Sequence, residues 1–179
     1  MSARDPGDML LGKYTPAVEN YAPQVLFPIP RSEGRRRIGV TQPLPFFGGD
    51  LWHAYELSWL DPAGKPLARV GRLHIPAGSP NMVESKSLKL YLNSLNNMRF
   101  DSELALSRTL CADVSAVVGG QVELELLDVC DPRMAGQVPA GECLDHLEVV
   151  PTDADPSSDI LEVGAEIGEQ QVYSHLLRS

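Results

Sequence analysis

The segment from Glu84 to Leu95 constrains the fold more than any other, because apolar periodicity, charge and small hydroxyl residues fall there into one pattern. Leu88, Tyr91, Leu92 and Leu95 recur at i, i+3, i+4 and i+7, the spacing that gathers apolar side chains on one face of a helix. Lys86, Lys89, Asn93 and Asn97 fall on the opposite face. Ser79-Pro80-Asn81 offers capping side chains for entry into this helix. Its first-turn N–H groups have no intrahelical partners and can receive an anion or another acceptor. Periodicity by itself describes an ordinary amphipathic helix, with Glu84 favoured in the first turn by the helix dipole and two solvated lysines.

Trp52 to Leu60 and Leu67 to Ile75 read as strands joined by Asp61-Pro62-Ala63-Gly64-Lys65, whose proline and glycine supply the fixed and positive φ angles of a turn. Together they predict an antiparallel hairpin. The first strand alternates Trp52, Ala54 and Glu56 against His53, Tyr55 and Leu57. Neither face is purely polar, as in a sheet covered on one side and joined by a partner on the other. After the Glu84 helix, expected to end near Asn97, Asp101 or Ser102 caps a second helix. Its apolar stripe is Leu104, Leu106, Leu110, Val114 and Val117, and Gly119-Gly120 ends it. From Gln121 to Val129, Val122, Leu124 and Leu126 alternate with Gln121, Glu123 and Glu125, a strand with one wet face. Proline, glycine and aspartate dominate from Asp131 to Ser158, with a short strand at Leu147 to Val150; Leu161 to Leu177 is expected to hold a final strand. This order implies an α+β fold with two helices on one face of an antiparallel sheet.

The first 42 residues differ. Pro16, Pro23, Pro28 and Pro30 break any helix or central strand, so residues 1–42 read as an N-terminal arm ahead of a module at 43–179. Arg31, Arg35, Arg36 and Arg37 form the arm's basic cluster, read as a solvated loop.

A net charge of −9 and a pI near 4.8 argue against a nucleic-acid-binding surface spread over the chain. No apolar run approaches the roughly 20 residues that span a bilayer. Met1 to Leu11 lacks the basic start and apolar stretch of a secretory signal, so a cytoplasmic location without membrane contact is expected. Cys111, Cys130 and Cys143 have no CxxC spacing, which fits reduced thiols, with Cys111 and Cys130 as buried structural ones. His53, His74, His146 and His175 show no metal-ligand spacing with the cysteines, so no metal site is expected.

Glu84-Ser85-Lys86-Ser87-Leu88-Lys89-Leu90-Tyr91 resembles, at every position, the signature of the NADPH-dependent 7-cyano-7-deazaguanine reductases, the nitrile reductases of queuosine biosynthesis. Leu44-Pro45-Phe46 with Gly49-Asp50-Leu51-Trp52, Tyr55 to Leu60, Ser79-Pro80-Asn81 and Ser174-His175-Leu176-Leu177 also resemble segments of the long, two-module form of that family. The resemblance implies a tunnelling fold, in which ββααββ units assemble their sheets into barrels, and a homo-oligomer in the complete protein. It covers only the first of two modules.

In the family a cysteine thiolate adds to the nitrile carbon of 7-cyano-7-deazaguanine to give a thioimide, an aspartic acid supplies protons and NADPH delivers hydrides. The aspartate follows the cysteine by seven positions. At that offset Cys111, Cys130 and Cys143 have Val118, Gln137 and Val150, so no catalytic residue is expected in this chain. The nucleophile would follow a segment like Ser174 to Ser179 and belong to a second, catalytic module. What the resemblance carries over is Val83, Glu84 and Ser85 at positions that contact the deazaguanine, and Ser85 and Lys86 at positions that meet NADPH. Lys89 extends the same role towards the cofactor phosphates. The chemistry agrees, since a carboxylate accepts two N–H bonds from a guanine-like edge and lysines at a helix start complement phosphate. A competing reading is a non-catalytic tunnelling-fold module that binds a purine-like ligand or serves as an assembly partner. Zinc-dependent pterin chemistry on the same fold is disfavoured by the histidine spacing.

Overall fold

The computed structural model describes residues 9–14, 18, 20–136 and 138–148, together with the backbone of Val172 and Tyr173. The chain divides into two units, Met1–Asp131 and Pro132–Ser179. In the first unit the elements are β1 (Pro28–Pro30), α1 (Arg31–Arg37), β2 (Gly49–Leu60), β3 (Pro66–Pro76), β4 (Asn81–Val83), α2 (Ser85–Asn93), α3 (Glu103–Val118) and β5 (Glu123–Leu127). The fold class is α+β, with the hairpin, the two helices and the following strand in the expected order. An antiparallel sheet has the order β2-β3-β5, and β1 pairs antiparallel with β4. Among the described residues no helix is long and apolar enough to cross a membrane.

Turn chemistry sets the hairpin. Lys65 N donates to Asp61 Oδ1 at 2.8 Å and Gly64 N to Asp61 O at 2.9 Å, and Gly64 takes the left-handed φ of 90° that favours glycine. Further along, the pairing shifts register between Ala54↔Gly71 and Leu57↔Arg69, leaving Tyr55 and Glu56 across from Val70 alone. Such a bulge switches the core-facing set from Trp52 and Ala54 to Leu57 and Trp59. The mixed polarity of both apparent faces therefore comes from a change of register within the strand. A partner on the second face is not needed to account for it.

The core joins Leu57, Trp59, Leu73 and Ile75 of the hairpin to Leu88, Tyr91, Leu92 and Leu95, and to Leu106, Leu110, Val114 and Val118 of α3. The α3 stripe differs from expectation at both ends: Leu104 is 58% exposed and Val118 is buried. At about 100° per residue, Leu104 lies roughly 160° round the helix from Leu106, outside the 106-110-114-118 row. Ser102 Oγ accepts from Ala105 N at 3.1 Å to cap α3, and Gly119 closes it at φ 72°. The α2 helix stops at Asn93 and gives way to turns through residue 97, short of the expected end.

The arm is more ordered than its prolines suggest. Glu84 N donates to Phe27 O at 2.9 Å and Arg31 N to Pro80 O at 3.0 Å, so the hydrogen-bonded positions facing β4 are 27, 29 and 31. Pro28 and Pro30 fall between them, where an antiparallel pair asks for no N–H. Two buried serines, Ser87 in α2 and Ser94 at its C-cap, then receive arm amides. Phe27 N donates to Ser87 Oγ at 3.0 Å and Ala22 N to Ser94 Oγ at 3.2 Å. Ala22, Leu26 and Phe27 are buried. The hydroxyls of Tyr21 and Tyr91 both donate to Asp113 Oδ2 at 2.6 Å, tying the arm to α2 and α3. Nor is the arginine cluster a solvated loop. It forms α1, with Arg31 paired to Asp50 and bonded to Ser79 Oγ, and Arg35 donating to Ala77 O.

In the second unit, β6 (Glu142–Cys143) pairs in parallel with β7 (Val172–Tyr173). Leu147 and Glu148 are not in a strand, contrary to expectation, and Val149 and Val150 lie outside the described residues. Of the segment Leu161 to Leu177, only Val172–Tyr173 is described.

Ser87→Ala strips the buried Phe27 amide of its acceptor, which should cost about 1–3 kcal/mol. Ser94→Ala should act similarly at Ala22. Thermal melts beside limited proteolysis of the arm check this, and unchanged melts with a protected arm would contradict the anchoring role. Burial, aided by Asp113, pushes the Tyr21 phenol up from 10.0 to about 12. Its stabilising contribution is complete below pH 10 and is lost as pH rises through about 12, because the unfolded chain releases that proton first. Alkaline unfolding monitored by circular dichroism should therefore show a shallower decline above pH 10 in Tyr21→Phe than in the parent chain.

Candidate functional site

Glu84 follows β4 in extended geometry and becomes the N-cap of α2, so the cap is Glu84, and Ser79-Pro80-Asn81 leads into a strand instead. Its Oε2 accepts from Ser87 N at 2.7 Å, while Ser87 Oγ donates back to the Glu84 carbonyl at 2.7 Å. A carboxylate here meets the unpaired amides and positive dipole end of the first turn. Only 1% of Glu84 is exposed, and its second oxygen, Oε1, has no hydrogen-bond partner among the described residues. Buried carboxylate oxygens are costly to leave unpaired, so this atom is suited to a donor from outside the described residues.

The other signature residues separate. Val83 is fully buried, main chain included, with its side chain in the core. Ser85 opens α2 and is exposed. Lys86 Nζ donates to the Lys13 carbonyl, which brings the arm to the start of α2. Lys89 is exposed and has no partner among the described residues. The two ammonium groups expected side by side thus have different surroundings: one is held by the arm and the other is free to meet an anion.

Ser85, Lys89 and Asn93 form one wall of a cleft of about 420 Å³, and the bulged stretch Trp52 to Glu56 forms the other. Leu73, Leu88 and Leu92 supply apolar lining. Sequence periodicity missed this second wall, though one signal was present: the apolar pattern of β2 changes from even to odd positions across Tyr55-Glu56. Neither Val83, Glu84 nor Lys86 lines the cleft.

The remaining candidates lie apart. Among the described residues no group of three or more histidine, cysteine or carboxylate side chains could hold a metal ion. His53 stacks against Tyr55, and His74 is exposed between its neighbours Leu51 and Glu123. All three thiols are free. Burial pushes the Cys111 thiol up, which suits an unreactive structural cysteine. Cys130, expected to be buried, is exposed, because β5 ends at Leu127 and the chain turns outward before reaching it.

Glu84→Gln retains an amide oxygen able to cap Ser87 N, and should melt close to the parent chain. Glu84→Ala removes the cap and should cost about 1 kcal/mol, a fall of roughly 2–4 °C for a chain of this size. Differential scanning calorimetry of both variants separates these outcomes.

A family model described as nitrile reductase, 7-cyano-7-deazaguanine-reductase N-term, matches residues 17–126. The NADPH-dependent 7-cyano-7-deazaguanine reductase of Chromohalobacter salexigens is 46% identical over 170 residues, covering 94% of this chain and 61% of the relative. The protein of the same name from Azoarcus sp. (strain BH72) is 44% identical over 173 residues, with 94% and 61% covered. That of Teredinibacter turnerae is 44% identical over 176 residues, with 98% and 63% covered. The chain spans about 61% of the length of the first two of these relatives. The family match contains the capped helix, its buried carboxylate and both walls of the cleft, and this chain belongs to the N-terminal family of the 7-cyano-7-deazaguanine nitrile reductases.

Proposed function

We propose that this chain is the N-terminal part of an NADPH-dependent reductase that converts 7-cyano-7-deazaguanine to 7-aminomethyl-7-deazaguanine in the cytoplasm. The observation that carries the reading is the Glu84 carboxylate, with one oxygen capping α2 and the other buried without a donor among the described residues. A guanine-like edge offers the N–H groups that such an oxygen lacks. In this reading residues 43–179 form a tunnelling-fold module, and the complete protein is a homo-oligomer. Val83 belongs with Glu84 on the substrate side, and Ser85 stands where substrate and cofactor meet. Lys86 and Lys89 act as point charges on the cofactor phosphates, with Lys86 exchanging the Lys13 carbonyl for a phosphate oxygen. NADPH, when bound, supplies the hydrides. None of the three cysteines here is followed at seven positions by aspartate, so the nucleophile and the proton donor are assigned to a second module.

Calorimetric titration provides the test. In the two-module enzyme, Glu84→Gln should weaken 7-cyano-7-deazaguanine binding by about ten-fold or more, because an amide NH2 then opposes a donor. Lys89→Ala should weaken NADPH binding, and the loss in the parent enzyme as salt is raised should be smaller in the variant. Residues 1–179 by themselves should not oxidise NADPH in response to the nitrile. Normal substrate binding by Glu84→Gln would remove the deazaguanine site from this module.

A further inference from the structure

Tyr55 is a large aromatic side chain left 65% exposed on a strand, and its ring stacks on His53 with centroids 5.9 Å apart and planes 26° from parallel. Both rings border the cleft opposite Lys89. The bulge creates this arrangement. It leaves Tyr55 and Glu56 unmatched across from Val70, so both side chains stay exposed at the cleft while Trp52 and Leu57 on either side still pack towards the core. An exposed, stacked aromatic pair provides a face for a flat heterocycle. Lys89, with no partner among the described residues, provides a cation suited to a phosphate. Glu56 adds a carboxylate that can accept from an exocyclic amine. At about 420 Å³ the cleft is at the small end of ligand pockets, the size of one nucleotide rather than of two joined together.

We infer that this cleft takes the adenosine-phosphate end of a nucleotide cofactor, its base stacked on Tyr55 and its phosphate at Lys89. The inference rests on the NADPH reading above and deepens it, by adding Tyr55 and Glu56 to a site that the signature helix alone does not complete. The deazaguanine suits the cleft less well, because a neutral heterocycle without a phosphate gives Lys89 nothing to neutralise. On this view the signature helix serves both ligands from different sides. Glu84, which does not line the cleft, faces the nitrile substrate, and Ser85 to Asn93 face the cofactor.

The test uses chain 1–179, with NADPH and adenosine 2′,5′-bisphosphate as separate calorimetric ligands and 7-cyano-7-deazaguanine as a third. Adenosine 2′,5′-bisphosphate should bind and compete with NADPH. Tyr55→Ala should weaken both by about ten-fold, the loss of one base–aromatic stack, whereas Tyr55→Phe, which keeps the ring, should stay within about two-fold of the parent chain. Because Tyr55 is exposed, neither variant should shift the thermal melt appreciably. If NADPH binds and depends on Lys89 but Tyr55→Ala is without effect, or if adenosine 2′,5′-bisphosphate fails to compete, the inference is overturned while the cofactor reading stands. If the deazaguanine alone depends on Tyr55, the cleft belongs to the substrate and the inference is likewise overturned. Absence of binding by both nucleotides would overturn the inference together with the assignment of cofactor contacts to this module.

Discussion

The first unit depends on a closed circuit of hydrogen bonds at the start of α2. Phe27 N donates to Ser87 Oγ, Ser87 Oγ to Glu84 O, Ser87 N to Glu84 Oε2, and Glu84 N to Phe27 O. The circuit lies where the arm, β4 and α2 meet, and it is buried, so each bond forms away from competing water. Its members hold one another in place: by donating to the glutamate carbonyl, the serine hydroxyl turns its lone pairs towards the arm amide. The circuit also fixes the Glu84 carboxylate in one orientation. A binding group held in advance by its neighbours loses little freedom when a ligand arrives.

Much of this architecture was legible in the sequence. Leu88, Tyr91, Leu92 and Leu95 are buried as their spacing requires, and Ser102 and Gly119 bound α3 as cap chemistry predicts. These features arise within a few residues of chain, where a local pattern has one low-energy answer. The hairpin turn at Asp61–Lys65 was legible for the same reason.

The unread parts depend on distant partners. The arm looked unstructured because its prolines were judged by what they forbid within a strand, whereas the amides of Ala22 and Phe27 are satisfied by serines 72 and 60 residues away. A fixed period of two does not carry across Tyr55-Glu56, and only the pairing with β3 shows where the count changes. Of the signature residues, Ser85 and Lys89 line the candidate cleft, but its facing wall comes from a strand whose aromatic residues look like ordinary strand formers. Glu84 stands at the cap rather than in the first turn, a shift of a single residue that apolar periodicity does not resolve.

The prolines of β1 have a further effect. In the antiparallel pair with β4, positions 28 and 30 direct their backbone nitrogens away from β4, towards the open edge of that small sheet. An ordinary residue there would present an N–H to any passing strand. Proline presents none, so the β1 edge lacks donors that a further strand would need. The residues that make the arm look unfoldable thus protect it from joining the wrong chain.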